Sequence, residues 1–242
     1  MIVSIPIIQG LKDTPNSAYD LLKTQFLYHS NKLEGSTFTE ANLEKYLVDS
    51  IVEGSHDIGD IYETINSTKL FDFIINTLGE PISKRLLLEF HQMLKRNTID
   101  QERGMAGCWK KIPNRILGSD LVLAQPWEVD QKIDDLLNDW QASTKTLDDI
   151  LHFHVNFEHI HPFQDGNGRI GRFVMLKQCI ENKVALIIID EKYSSQYKAA
   201  LKKAQLTSDY TELHDIILCC QKQADEKLGF LKDTIEYMQD KG

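Results

Sequence analysis

Residues 161–172 read HPFQDGNGRIGR, and this string fixes a point at which a loop must enter a helix. Gly166 and Gly168 flank Asn167 directly after Asp165, and helical spacing then runs through Ile170, Phe173 and Val174. Glycine lets backbone N–H groups come close to a ligand, and the first-turn N–H groups with the helix dipole attract an anion. With a helix starting near Gly166, Asp165, Arg169 and Arg172 lie at i, i+4 and i+7, which puts a carboxylate and two guanidiniums on one face. Guanidinium forks bind phosphate oxygens bidentately, and a carboxylate can hold Mg²⁺ bridging those oxygens. His161 stands at the mouth of the same loop, where an imidazole titrating near neutrality can take a proton from an attacking hydroxyl. Phe163 reads as the core anchor of the loop.

The rest of the chain predicts a mainly α-helical fold. Helical spacing links Tyr19, Leu22, Phe26 and Leu27, then Ile150, Phe153, Phe157 and Ile160, and later Ile216, Leu218 and Leu228. Thr37 with Glu40 reads as a capping box, and Gly79 followed by Pro81 ends the apolar stretch Leu70 to Leu78. One segment breaks the pattern: Trp109 to Gln125 sets Ile112, Ile116, Leu121, Val122 and Leu123 around Gly118-Ser119, which is hairpin chemistry.

Composition narrows the function. A net charge of -9 over 242 residues repels a phosphate backbone and argues against a nucleic-acid binder, whereas a small anionic ligand needs only a local pocket. Cys108, Cys179, Cys219 and Cys220 have no CxxC spacing and read as reduced thiols. The run Ile2 to Ile8 lacks the features of a signal peptide, and Val184 to Ile189 is too short to span a bilayer, so a cytoplasmic, non-membrane protein is expected. Residues 166–171 match GxGxxG, but no strand precedes them as a dinucleotide fold requires. His152, His154, His159 and His161 crowd into ten residues, yet on a helix only His154 and His161 share a face, which disfavours a zinc site.

The string resembles the Fic family signature HxFx(D/E)GNGRxxR, matched by His161, Phe163, Asp165, Gly166, Asn167, Gly168, Arg169 and Arg172. The resemblance implies an all-α Fic-type core with a short β-hairpin flap, ATP as substrate with Mg²⁺, and attack of a protein Ser, Thr or Tyr hydroxyl on the α-phosphate with release of pyrophosphate. Carried over, His161 is the general base and Asp165 the Mg²⁺ ligand. Gly166, Asn167 and Gly168 form the anion cradle, and Arg169 and Arg172 hold the β- and γ-phosphates. Trp109 to Gln125 resembles the family's flap, which clamps a target segment by backbone pairing. Tyr197 with Leu201 resembles the YxxxL helix near the adenine, with Lys198 in place of the usual second Tyr.

Upstream, Ser30 to Gly35 resembles the family's inhibitory motif (S/T)xxxE(G/N), with Ser30 and Glu34 at its defined positions. If the helix carrying Glu34 packs on the site, its carboxylate can pair with Arg172 and take the place of the γ-phosphate. The expectation is therefore a protein adenylyltransferase braked by Glu34. Transfer of another nucleotide, removal of AMP from a modified target, and a nucleotide-sensing interaction module are the alternatives. The expected organisation is an N-terminal helical segment with the inhibitory motif (1–83), a Fic core (84–210) and a C-terminal helix packed on it (211–242). A protein target, with the chain itself among the candidates, and a homo-oligomer complete the expected partners.

Overall fold

The central element is a helix with almost no exposed face. In the computed structural model, which describes residues 1–15, 17–115 and 121–229, the helix Asn167–Glu181 buries Ile170, Phe173, Val174, Met175, Leu176, Cys179 and Ile180 together with the polar Arg169, Arg172, Lys177 and Gln178. A helix buried all round carries no amphipathic signal and must be enclosed by others.

In chain order the helices are α1 (Ile5–Leu11), α2 (Ala18–Leu33), α3 (Glu40–Asp49), α4 (Ile58–Asn76), α5 (Lys84–Leu94), the short α6 (Ile99–Glu102), α7 (Val129–Ala142), α8 (Leu147–Ile160), α9 (Asn167–Glu181), α10 (Ser194–Thr207) and α11 (Thr211–Lys227). Helix α8 packs along α9, and α2, α4 and α5 close its other sides. Aromatic contacts knit this shell: Phe26 of α2 lies 5.0 Å from Phe173 of α9 and 5.7 Å from Phe71 of α4 between ring centroids. The apolar periodicity read for α2 and α8 is the periodicity of burial, since Tyr19, Leu22, Phe26, Leu27, Ile150, Phe153, Phe157 and Ile160 are all core residues. No helix among the described residues is long and apolar enough to cross a membrane.

Local chemistry corrects the expected start of α3. The capping box is made by Thr39 and Asn42, whose side chains take each other's backbone N–H groups. Thr37 gives its N–H and hydroxyl to Asp60, at 2.7 and 2.6 Å, so it ties the loop before α3 to α4 instead of capping. At the other end of that loop Gly35 takes φ +89°, and the Ser36 N–H returns to the Asn31 carbonyl at 3.1 Å. This glycine ends α2 just after Glu34.

The described residues contain no strand. In the segment expected to form a hairpin, residues 109–115 and 121–125 have no regular structure, and the proposed turn at Gly118-Ser119 lies outside the described residues. The backbone N–H of Lys110 instead donates to Pro162 O at 2.8 Å, so the segment's first half pairs with the loop of 161–166. Of the C-terminal helix expected over 211–242, α11 covers the part through Lys227, and residues 230–242 lie outside the described residues.

Candidate active site

The loop between α8 and α9 is held open by its own side chains. Asn167 is the brace: its Oδ1 accepts from Phe163 N at 2.8 Å and its Nδ2 donates to Phe163 O at 2.9 Å. With the side chain committed, Asn167 has only its backbone to offer an anion. Phe163 is buried, as expected, and stacks on His91 of α5 at 3.9 Å. The Gly107 N–H donates to His91 Nδ1 at 3.0 Å, so the proton sits on Nε2 and is donated to Asp165 O at 3.1 Å. Burial pushes the His91 imidazole down to about 4, which keeps this neutral tautomer in place. Gly166 adopts φ +84° as the N-cap of α9, and a Cβ there would press on Leu94 and Lys95.

His161 closes α8 in the left-handed region, at φ 51° and ψ 61°. That turn brings its Nδ1 within 3.2 Å of the Glu158 carbonyl, where the Nδ1 proton is donated, and leaves Nε2 with its lone pair. Burial lowers its pKa from the ordinary value; Lys110 also lowers it, and the Glu158 carbonyl, Glu34 and Asp165 oppose them. Lys110, itself buried and pushed down to about 8 by that burial, donates to Ile160 O at 3.2 Å and fixes the end of α8. The imidazole is a neutral base near physiological pH.

Both arginines of the motif are already paired, and with carboxylates from the N-terminal helices. Arg172 is 3 % exposed. Its Nε donates to Ser30 Oγ at 3.0 Å, and one terminal nitrogen donates to Ser30 O at 2.9 Å and to Glu34 Oε1 at 2.7 Å. The Glu34 carboxylate also lies against Gly168, where a Cβ would collide with it. Burial alone would raise its pKa, but Arg172 and Arg169 outweigh that and hold it below the usual carboxylate range. Lys198, which stands in place of the expected second Tyr, donates to Leu33 O at 2.9 Å and so clasps the end of α2 that carries Glu34. Beside these groups Asn31, Glu34, Asp60, Glu63 and Arg169 line a cavity of about 120 Å³.

Arg169 pairs with Glu63 of α4 and lies 3.5 Å from Asp165. Asp165, whose side chain is 60 % exposed, is also bonded by the buried Lys95 at the end of α5. Burial would raise the Asp165 pKa, yet Lys95 and Arg169 draw it down to about 2. Tyr197 is buried, and its hydroxyl is hydrogen-bonded to His154 Nε2 at 2.5 Å. The histidines weighed as zinc ligands do not converge: His152 stacks on Tyr210, His154 bonds Tyr197, and His159 bonds Val122 O at 3.1 Å.

Sequence reasoning missed Glu63, Lys95, Asp100 and His91, and weighed Glu158 only as a neighbour of the clustered histidines. Glu158 is buried, with one carboxyl oxygen lacking a hydrogen-bond partner, and burial pushes it up to about 8. The helical arithmetic that joined His154 to His161 also passes through position 158, so a signal for it was present.

Residues 81–179 match the Fic/DOC family. The chain is 30 % identical over 132 residues to the probable protein adenylyltransferase of Aquifex aeolicus, covering 53 % of this chain and 39 % of that protein. It is 26 % identical over 182 residues to the protein adenylyltransferase Fic of Nematostella vectensis, covering 71 % of this chain and 39 % of that one. The chain thus spans about two fifths of the length of these curated relatives. A Fic domain containing signaling protein from Bacteroides thetaiotaomicron shares the fold, with a TM-score of 0.77 at 19 % identity over 96 % of this chain and 97 % of that one.

Proposed function

We propose that this chain, whose residues 81–179 are a Fic/DOC domain, is a protein adenylyltransferase that moves AMP from ATP to a protein hydroxyl and is held inactive by its own Glu34. The observation that carries this reading is the place of Glu34, an anion seated on Arg172 and against Gly168 at the start of α9. A phosphate would be held by the same groups. The names of the relatives, both protein adenylyltransferases, support AMP as the transferred group.

In the proposed reaction the backbone N–H groups at the start of α9, with Arg169 and Arg172, bind the β- and γ-phosphates. His161 Nε2 takes the proton of the target hydroxyl as its oxygen bonds to the α-phosphorus, and the bond to the β-bridging oxygen breaks to release pyrophosphate. Asp165 is an exposed carboxylate beside the cradle, a donor suited to Mg²⁺, which would neutralise charge on the phosphates. Ser30 positions Arg172 whether or not Glu34 is present. Tyr197, bonded to His154 Nε2, lies beneath the site beside Arg172.

A protein target is proposed to dock at a groove of about 420 Å³ lined by Val122, Leu123, Ala124, Asn156, His159 and Ile160, directly before His161. The organisation proposed is a brake segment (1–83), a catalytic core (84–210) and a C-terminal helix; the protein is proposed to act in the cytoplasm.

The reading fixes a pH dependence. The base must be neutral, and burial sets the His161 pKa below 6.5, so transfer by a Glu34→Gly chain should rise with pH through a midpoint below 6.5 and stay level from 7 to 7.5. Lys110, Glu34, Asp165 and Glu158 are the charged or titratable groups acting on it. Initial rates of ATP-dependent labelling measure this; an acid limb centred above 7 contradicts His161 as the base. GTP, UTP and CTP as competitors test the nucleotide, and equal competition by all of them speaks for a donor other than ATP.

A further inference from the structure

Lys95 is an ammonium seated among three carboxylates. Its side chain is 1 % exposed, and its Nζ meets Glu63 of α4, Asp165 of the loop and, at 2.9 Å, Asp100 of α6. Oxygen atoms of these carboxylates lie within 4.8 Å of one another, the spacing of a cation site. Glu63 spans two cations, with Oε1 on Lys95 and Oε2 on Arg169. Asp165 offers both cations the same oxygen, Oδ2. Of the two Asp165 oxygens, Oδ2 alone meets these cations, and Oδ1 faces neither of them. Three carboxylates against Lys95 and Arg169 leave a single net negative charge at the back of the cradle.

We propose that Lys95 is a positioning residue that presents Asp165 to the metal through one oxygen and makes metal binding there conditional on a bound nucleotide. The inference rests on the adenylyltransferase reading of the site. A divalent cation arriving alone meets a carboxylate already paired with two positive groups, and both repel it at short range. A cation arriving with a triphosphate brings anionic oxygen ligands of its own and needs only one oxygen from the protein, as Mg²⁺ sites built on one carboxylate plus phosphates do. Lys95 thereby keeps the carboxylate cluster from trapping a stray cation. The same bonds hold Asp165 and, through Glu63, Arg169 in place for phosphate.

The test is Mn²⁺ titration of the Glu34→Gly chain, followed by the electron paramagnetic resonance of free Mn²⁺, with and without a non-transferable α,β-methylene analogue of ATP. With the analogue, one Mn²⁺ per chain is expected; without it, binding at least ~10-fold weaker. Lys95→Met, checked for native helix content, should bind Mn²⁺ without the analogue at least ~10-fold tighter than the host, whereas Lys95→Arg should behave as the host. Nucleotide-free binding in the host as tight as with the analogue overturns the proposal, as does a folded Lys95→Met chain that binds Mn²⁺ no tighter. If Lys95→Met does not fold, Asp100→Asn decides. It leaves Asp165 in place but gives the ammonium one carboxylate fewer, so Mn²⁺ binding with the analogue should weaken by roughly threefold or more; unchanged binding overturns the proposal. AMP transfer is read separately: an active chain that binds Mn²⁺ without nucleotide removes this inference alone, and expected Mn²⁺ behaviour without any AMP transfer removes the adenylyltransferase reading.

Discussion

Replacing His161 by Asn in the Glu34→Gly chain is expected to cut AMP transfer by a factor of about 10²–10⁴, the usual contribution of a positioned general base. Asn is the better first substitution because His161 sits at φ 51°, a conformation that Asn tolerates and Ala resists. The fold should therefore survive. His161→Ala should lose the same activity, with some added cost at the end of α8. Two features make the loss specific to proton transfer. The Nδ1 proton is spent on the Glu158 carbonyl, so Nε2 is the basic nitrogen, and nothing in the arginine pairs or the start of α9 depends on the ring. Nucleotide binding should be unchanged. Labelling rates with ATP and the affinity for a non-transferable analogue separate the two effects, and a variant that keeps its rate contradicts the base assignment.

The second large effect has the opposite sign. Glu34→Gly is expected to raise AMP transfer on the order of a hundredfold, because a carboxylate that occupies the γ-phosphate end of the cradle displaces the α-phosphate from in-line attack, and about 1 Å of displacement can cost that much. The variant should also be less stable. Arg172 loses one carboxylate partner but keeps Ser30 Oγ and Ser30 O, so the loss should be about 1–3 kcal/mol, the range for leaving a buried group partly unpaired. For a chain of this size that lowers Tm by roughly 2–4 °C per kcal/mol. Faster and weaker together is the signature of a brake that doubles as an ion pair. Equal labelling by wild type and variant contradicts it.

What could be read from the sequence was what lies close together in it. His161, Asp165, Arg169 and Arg172 fall within twelve residues, so helical spacing alone could place them around one loop. Glu34 needed the family resemblance, since nothing in a Ser, Glu and Gly at helical spacing says that it faces an arginine 138 positions away. Glu63 and Lys95 were out of reach for the same reason. Each reads as one more charged residue on a helix, and only the packing of α4 and α5 against α9 turns them inward. The side-chain bonds of Asn167 to Phe163 were not legible, because they depend on the loop's curvature and not on the motif's letters. The start of α3 was misjudged where two threonines competed for one cap and Asp60 claimed Thr37 from another helix.

AMP, and no other part of ATP, is expected to be transferred, from a site that Glu34 blocks. The direct measurement is protein labelling by the Glu34→Gly chain with ATP carrying the label on the α-phosphate in one reaction and on the γ-phosphate in another, each beside wild type. Covalent label is expected from the α-position only, strong with Glu34→Gly and weak with wild type. Label arriving from the γ-position, or none from the α-position in the variant, contradicts it.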